Sequence, residues 1–276
     1  MLATRKVILG IMGSILILIV SQVLAQLIET LLDGIIVPEF ISIAISGIVY
    51  IFLTYFLLKL FVAKYFHQNL YDFGIGHFHV KWKWVIIGLL LPILITVIYL
   101  FIPGRFVITQ KSTSEILAVV SRGLFFTGFS AGFVEEMVFR GIIMTLVKDK
   151  WGKLIAIVIP SLLFGLVHII GMSFNFLNTL LVILAGTMVG VMFSLIAYES
   201  KSIWNNALVH SLWNSVIISG IFTISTKVDH YNITNYLLRT KSLLITGGQF
   251  GIESSLIALL GYSLVSSYAY NELKRG

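Results

Sequence analysis

The chain of 276 residues is 58% hydrophobic and only 11% charged, with a mean hydropathy of +1.00, whereas soluble domains carry about 25% charged residues. This excludes a water-soluble globule and specifies a membrane protein. The net charge of +7 comes without any nucleic-acid motif, so the basic surplus points to anionic lipid headgroups, and the absence of cysteine rules out disulfides, thiolate metal sites and a cysteine nucleophile.

A helix needs about 20 apolar residues to cross a bilayer. Runs of that kind lie at 7–28, 40–58, 85–102, 123–147, 154–172, 176–198, 204–224 and 251–270. They predict an all-α, polytopic bundle of about eight transmembrane helices, with too little chain between spans for a soluble domain. Residues 1–276 are thus expected to form one membrane-embedded domain. The first run has a basic start and "VLA" at 23–25, which imitates a cleavable leader, but seven further spans favour a retained helix. The connection 59–84 contains "HFHVKWKW". Trp82 and Trp84 suit the headgroup level there, Lys81 and Lys83 suit anionic lipid, and a metal pair of His77 and His79 is the lesser reading. Pro160 is expected to bend the fifth span or to free the carbonyl of Ala156. Gly186 and Gly190 form a small-xxx-small pair in the sixth, which suits close helix packing. The loop 225–250, with His230 and glycines 247 and 248, offers no evident chemistry.

Positive residues set the orientation, because lysine and arginine accumulate in cytoplasmic loops. With both termini inside, twelve basic residues fall in the cytoplasm and six outside, Arg140 being within a span. The expectation is an integral membrane protein with both termini cytoplasmic, in a bacterial cell membrane.

Against this apolar background, "FVEEMVFRG" at 133–141 is costly to bury. Positions four apart share a helix face, so Glu136 and Arg140 can neutralise each other. Glu135 points about a third of a turn away and is left without a partner on its own helix. His168 follows Phe164 by four residues, and Asn206, His210 and Asn214 recur at fourth positions as one polar stripe. At about 1.5 Å per residue, Glu135, His168 and Asn214 come to similar depths, near mid-membrane, with His210 shallower. Ionisable groups at such depth are functional-site candidates.

These residues resemble the CPBP family of intramembrane proteases, also called the CAAX protease and bacteriocin-processing, or Abi, family. Its EExxxR, FxxxH and HxxxN motifs are met in order by "EEMVFR" at 135–140, "FGLVH" at 164–168 and "HSLWN" at 210–214, within 118–220. The resemblance implies an intramembrane endopeptidase in which Glu135 and His168 activate water. His210 and Asn214 would stabilise the oxyanion, while Glu136, Arg140 and Phe164 support the site. It implies a peptide or protein substrate, prenylated or a leader-peptide precursor, together with membrane lipids and no nucleic acid. A metal-free site is preferred because HExxH is absent, with zinc on His168, His210 and Glu135 as the alternative. Two other functions fit the polar constellation: a non-catalytic bacteriocin-immunity or regulatory protein that binds a peptide, and a proton-coupled transporter.

Overall fold

The computed structural model describes residues 3–35 and 37–275. Among them, eight helices of fifteen residues or more follow in order: α1 (Thr4–Asp33), α2 (Glu39–Phe61), α3 (Trp82–Leu100), α4 (Thr113–Trp151), α5 (Lys153–Val167), α6 (Phe176–Ser200), α7 (Ile203–Ile217) and α8 (Leu256–Arg275). Each falls on one of the eight predicted apolar runs. Five are long and apolar enough to cross a membrane: α1, α2 with its extension to Phe66, α3, α4 and α6. The protein is an all-α polytopic membrane bundle.

The runs at 154–172 and 204–224 end sooner than expected, at Val167 and Ile217. Fifteen residues rise only about 22 Å, short of the ~30 Å hydrocarbon core. Both runs stay apolar past the helix end, but Gly171 and Gly220 adopt φ of +83° and +78° there, which turns the chain. After Gly220 the β-branched stretch becomes strand β2 (Phe222–Ser225), parallel to β3 (Thr234–Leu238), which pairs antiparallel with β1 (Gly104–Ile108). Hydropathy gave no sign of this small sheet. Phe106 and Tyr236 face each other across it, ring centroids 4.9 Å apart.

The sheet marks one end of the bundle, where Arg122 also pairs with Glu29. At the other end Lys6 lies 5.5 Å from the Phe66 ring, and Glu199 takes Lys81 at 2.8 Å, Lys83 at 2.9 Å and the Trp84 indole N–H at 2.8 Å. Of Trp82 and Trp84, the first is exposed, at 78%, and the second is fully buried. Lys81 and Lys83 are therefore tied to the ends of α6 and, through Glu272 at 2.7 Å from Lys83, α8, instead of standing free for lipid. His77 packs edge-on against Tyr71.

Central to the packing is α4, whose Val134, Met137, Val138, Ile142 and Ile143 are buried. Two stretches of it, Arg122–Ser130 and Met137–Ile143, are wound as π-helix. Gly123, Gly128 and Gly132 of α4 lie against Ser219, Ser215 and Ser211 on and just after α7. A Cβ on Gly123 would come within 2.5 Å of the Ser219 carbonyl oxygen, and one on Gly132 within 2.5 Å of Ser211 Oγ. The serines are spaced four and four, the glycines five and four. The widened turn between Gly123 and Gly128 absorbs the extra residue and keeps the two rows in step. The expected packing role of Gly186 and Gly190 takes the same form: they meet Gly165 and Ser161 of α5, and a Cβ on Gly186 would lie 2.6 Å from Gly165 Cα. Pro160 is buried and α5 runs through it, with Ser161 Oγ donating to the Ile157 carbonyl at 2.6 Å.

Candidate active site

Three helices meet on one cavity of about 220 Å³: α4 contributes Glu135, α5 contributes Phe164 and His168, and α7 contributes His210 and Asn214. Glycine–serine contacts let α7 approach α4, and glycine–glycine contacts let α6 approach α5. The close packing is what brings the motifs together.

Glu136 and Arg140 sit behind this cavity. The guanidinium Nη1 donates to Glu136 Oε1 at 2.7 Å, and both side chains are completely buried. Glu136 also accepts from Asn206 Nδ2 and, at 3.0 Å, from His210 Nδ1. Arg140 Nη2 donates to the Gly190 carbonyl at 3.1 Å, and its guanidinium carbon lies 4.6 Å from the Phe164 ring centroid and 5.2 Å from that of Phe193. Arginine suits this place because its planar group satisfies a carboxylate and a carbonyl while its faces rest on aromatic rings. The i to i+4 pairing expected of Glu136 and Arg140 is present, and α6 and α7 close around it.

Glu135 is different. Its Oε2 is buried without a hydrogen-bond partner among the described residues, and the nearest base is His210 Nε2 at 3.9 Å. The two imidazoles are held by their other nitrogens. His168 Nδ1 lies 2.6 Å from the Phe164 carbonyl, which can only accept, so Nδ1 carries the proton and a neutral His168 has its lone pair on Nε2. In the same way His210 Nδ1–H donates to the Glu136 carboxylate. The His210 ring stacks on Phe193 with centroids 4.7 Å apart, and His168 sits 4.5 Å from Phe164. Asn214 donates one N–H to the Thr127 carbonyl at 2.9 Å, which fixes the plane of its amide. That carbonyl belongs to the first π stretch of α4.

All seven residues singled out from the sequence, Glu135, Glu136, Arg140, Phe164, His168, His210 and Asn214, are thus assembled in or directly behind one cavity. The third member of the α7 stripe, Asn206, turns to Glu136 instead of the cavity. Among the residues without a sequence signal that join the wall are Tyr50 of α2, and Phe250 and Glu253 from the segment before α8. The loop thought to carry no chemistry ends in that segment. As for metal, no three His, Cys, Asp or Glu side chains gather as a ligand set among the described residues. His168, His210 and Glu135 share the cavity but do not converge as a zinc centre requires.

Residues 118–216 match the family model described as type II CAAX prenyl endopeptidase Rce1-like, a segment that includes all three motifs. Comparison with curated proteins and with solved structures finds no match.

Proposed function

We propose that this chain, whose residues 118–216 match the Rce1-like family model, is a CAAX-type intramembrane endopeptidase in which Glu135 activates the attacking water in the cavity. The observation that carries this is the Glu135 carboxylate: one oxygen is buried and unpartnered beside two imidazoles whose Nδ1 positions are both engaged. A water between Glu135 and His168 gives one proton to the carboxylate and holds the other toward His168 Nε2. Its oxygen bonds to the scissile carbonyl carbon, and the carbonyl electron pair moves onto oxygen. The free N–H of Asn214 donates to that oxyanion. His210 joins it only with protons on both nitrogens. Collapse breaks the C–N bond, and the proton held by Glu135 passes to the leaving nitrogen.

The substrate is a membrane-associated protein or peptide, prenylated or a leader-peptide precursor, in a bacterial cell membrane. A cavity lined by Glu135, His168, His210 and Asn214 inside a greasy bundle is consistent with hydrolysis. It gives a proton-coupled transporter nothing comparable, since Glu136 and Arg140 neutralise each other behind the site.

Single-turnover cleavage of a verified peptide tests the assignment. Glu135→Gln keeps the shape of the site but removes the base, so cleavage should vanish while substrate still binds. His168→Ala should behave alike. Asn214→Ala should lose about 10² to 10³ in kcat, typical of one oxyanion donor, with KM little changed. Near-normal cleavage by Glu135→Gln would favour a peptide-binding immunity or regulatory protein instead.

A further inference from the structure

Part of the cavity wall comes from residues 247–254, which carry no motif. Gly247, Gly248 and Gly251 all take positive φ, at 71°, 65° and 84°, and a side chain at 247 would strike the Gly251 carbonyl oxygen. The turn is fastened on three sides. Ser254 Oγ donates to the Gly247 carbonyl at 2.6 Å, the Gln249 N–H donates to Asn178 Oδ1 of α6 at 3.1 Å, and the Tyr262 hydroxyl donates to the Glu253 carbonyl at 3.1 Å. This places Phe250 edge-on to His168 at 5.6 Å and Glu253 on the cavity wall, where its Oε2 accepts the Trp213 indole N–H at 3.1 Å. Trp213 lies between His210 and Asn214 in sequence.

Glu253 has no ion pair among the described residues, and the cavity wall contains no lysine or arginine. The only cationisable groups on the described wall are the imidazoles of His168 and His210, so Glu135 and Glu253 face no permanent positive charge. A carboxylate in such an apolar recess is costly without a cation nearby. No residue of the proposed water activation needs Glu253.

Resting on the assignment of this cavity as the cleavage site, we propose that Glu253 is a specificity-determining residue that receives a lysine or arginine side chain of the substrate close to the scissile bond. Substrates with an acidic side chain at that position are repelled.

The test uses the full chain in detergent micelles and a fluorogenic peptide library in which Lys, Met or Glu is scanned through each position beside the cleaved bond. At one position the wild type should favour Lys over Met by about tenfold in kcat/KM, equivalent to about 1.4 kcal/mol, with Glu poorest. Glu253→Gln should bring the Lys-to-Met ratio to about one, mainly through KM, and Glu253→Asp should retain it. A wild type indifferent to Lys overturns the inference whichever variants fold. So does a Glu253→Gln enzyme whose kcat falls equally for every peptide, which would make Glu253 part of the chemistry or the scaffold. Glu135→Gln separates the two proposals: cleavage that needs Glu135 but ignores substrate charge removes the role of Glu253 alone.

Discussion

Glu136 accepts from an arginine, a histidine and an asparagine that come from two helices. Arg140→Ala would leave that carboxylate buried against two neutral donors, a loss of about 3–5 kcal/mol. Thermal melting in detergent should show it as a large drop in stability, and an unchanged melt would mean that water reaches the pair. Glu136→Gln is milder in shape yet removes the negative charge that keeps His210 Nδ1 protonated. Its expected signature is a loss of kcat greater than the loss of stability, measured by cleavage and melting on one preparation.

At the scale of elements, the seating of α7 on α4 decides whether five of the seven motif residues meet. Gly132→Val should be more harmful than its position outside the motifs suggests. Its Cβ would stand 2.8 Å from the Ser211 backbone nitrogen and 3.0 Å from Ser211 Cα, so α7 must shift and carry His210 with it. We expect overpacking of about 1–3 kcal/mol and a disproportionate loss of cleavage; normal turnover would show that the helix contact tolerates a gap. The motif residues were legible beforehand because polar groups recurring every fourth residue stand out in apolar helices. The lengths of α5 and α7 were not. Ile169 and Ile170, and Ile221 and Phe222, are as apolar as the helices they follow, and hydropathy cannot separate a helix from a turn or strand in the same setting. Glu253 was missed for another reason: it fell at the edge of the expected span 251–270 with no polar partner at helical spacing, whereas the helix begins only at Leu256 and Glu253 sits in the glycine turn before it.

For the whole molecule, the two ends of the bundle differ in charge and in architecture. One gathers Lys6, Lys81 and Lys83 near the ends of α2, α6 and α8, while the other carries the sheet. Reporters fused after Lys150 and at the carboxy terminus should both read as cytoplasmic, and one near Asp229 as external; an external carboxy terminus would reverse the proposed orientation. Purified enzyme is expected to keep its activity through prolonged chelation. Activity lost to chelator and restored by zinc would show that His168 and His210 rearrange into ligands on substrate binding.

The widened first stretch of α4 makes the number of residues, and not only their identity, a condition of activity. Between Gly123 and Gly128 the chain holds one residue more than the serine row opposite requires. Removing Phe125, an exposed apolar residue, would leave composition and membrane insertion almost untouched. Its loss would return that turn to ordinary α winding, with the glycines spaced four and four like the serines, so Gly128 and Gly132 would keep their places on α7. The Thr127 carbonyl that fixes the Asn214 amide lies inside the rewound stretch and would be displaced. Descendants of this gene can exchange one greasy side chain for another here, but an in-frame loss of a single codon would give a protein that inserts and packs normally while its oxyanion donor is released.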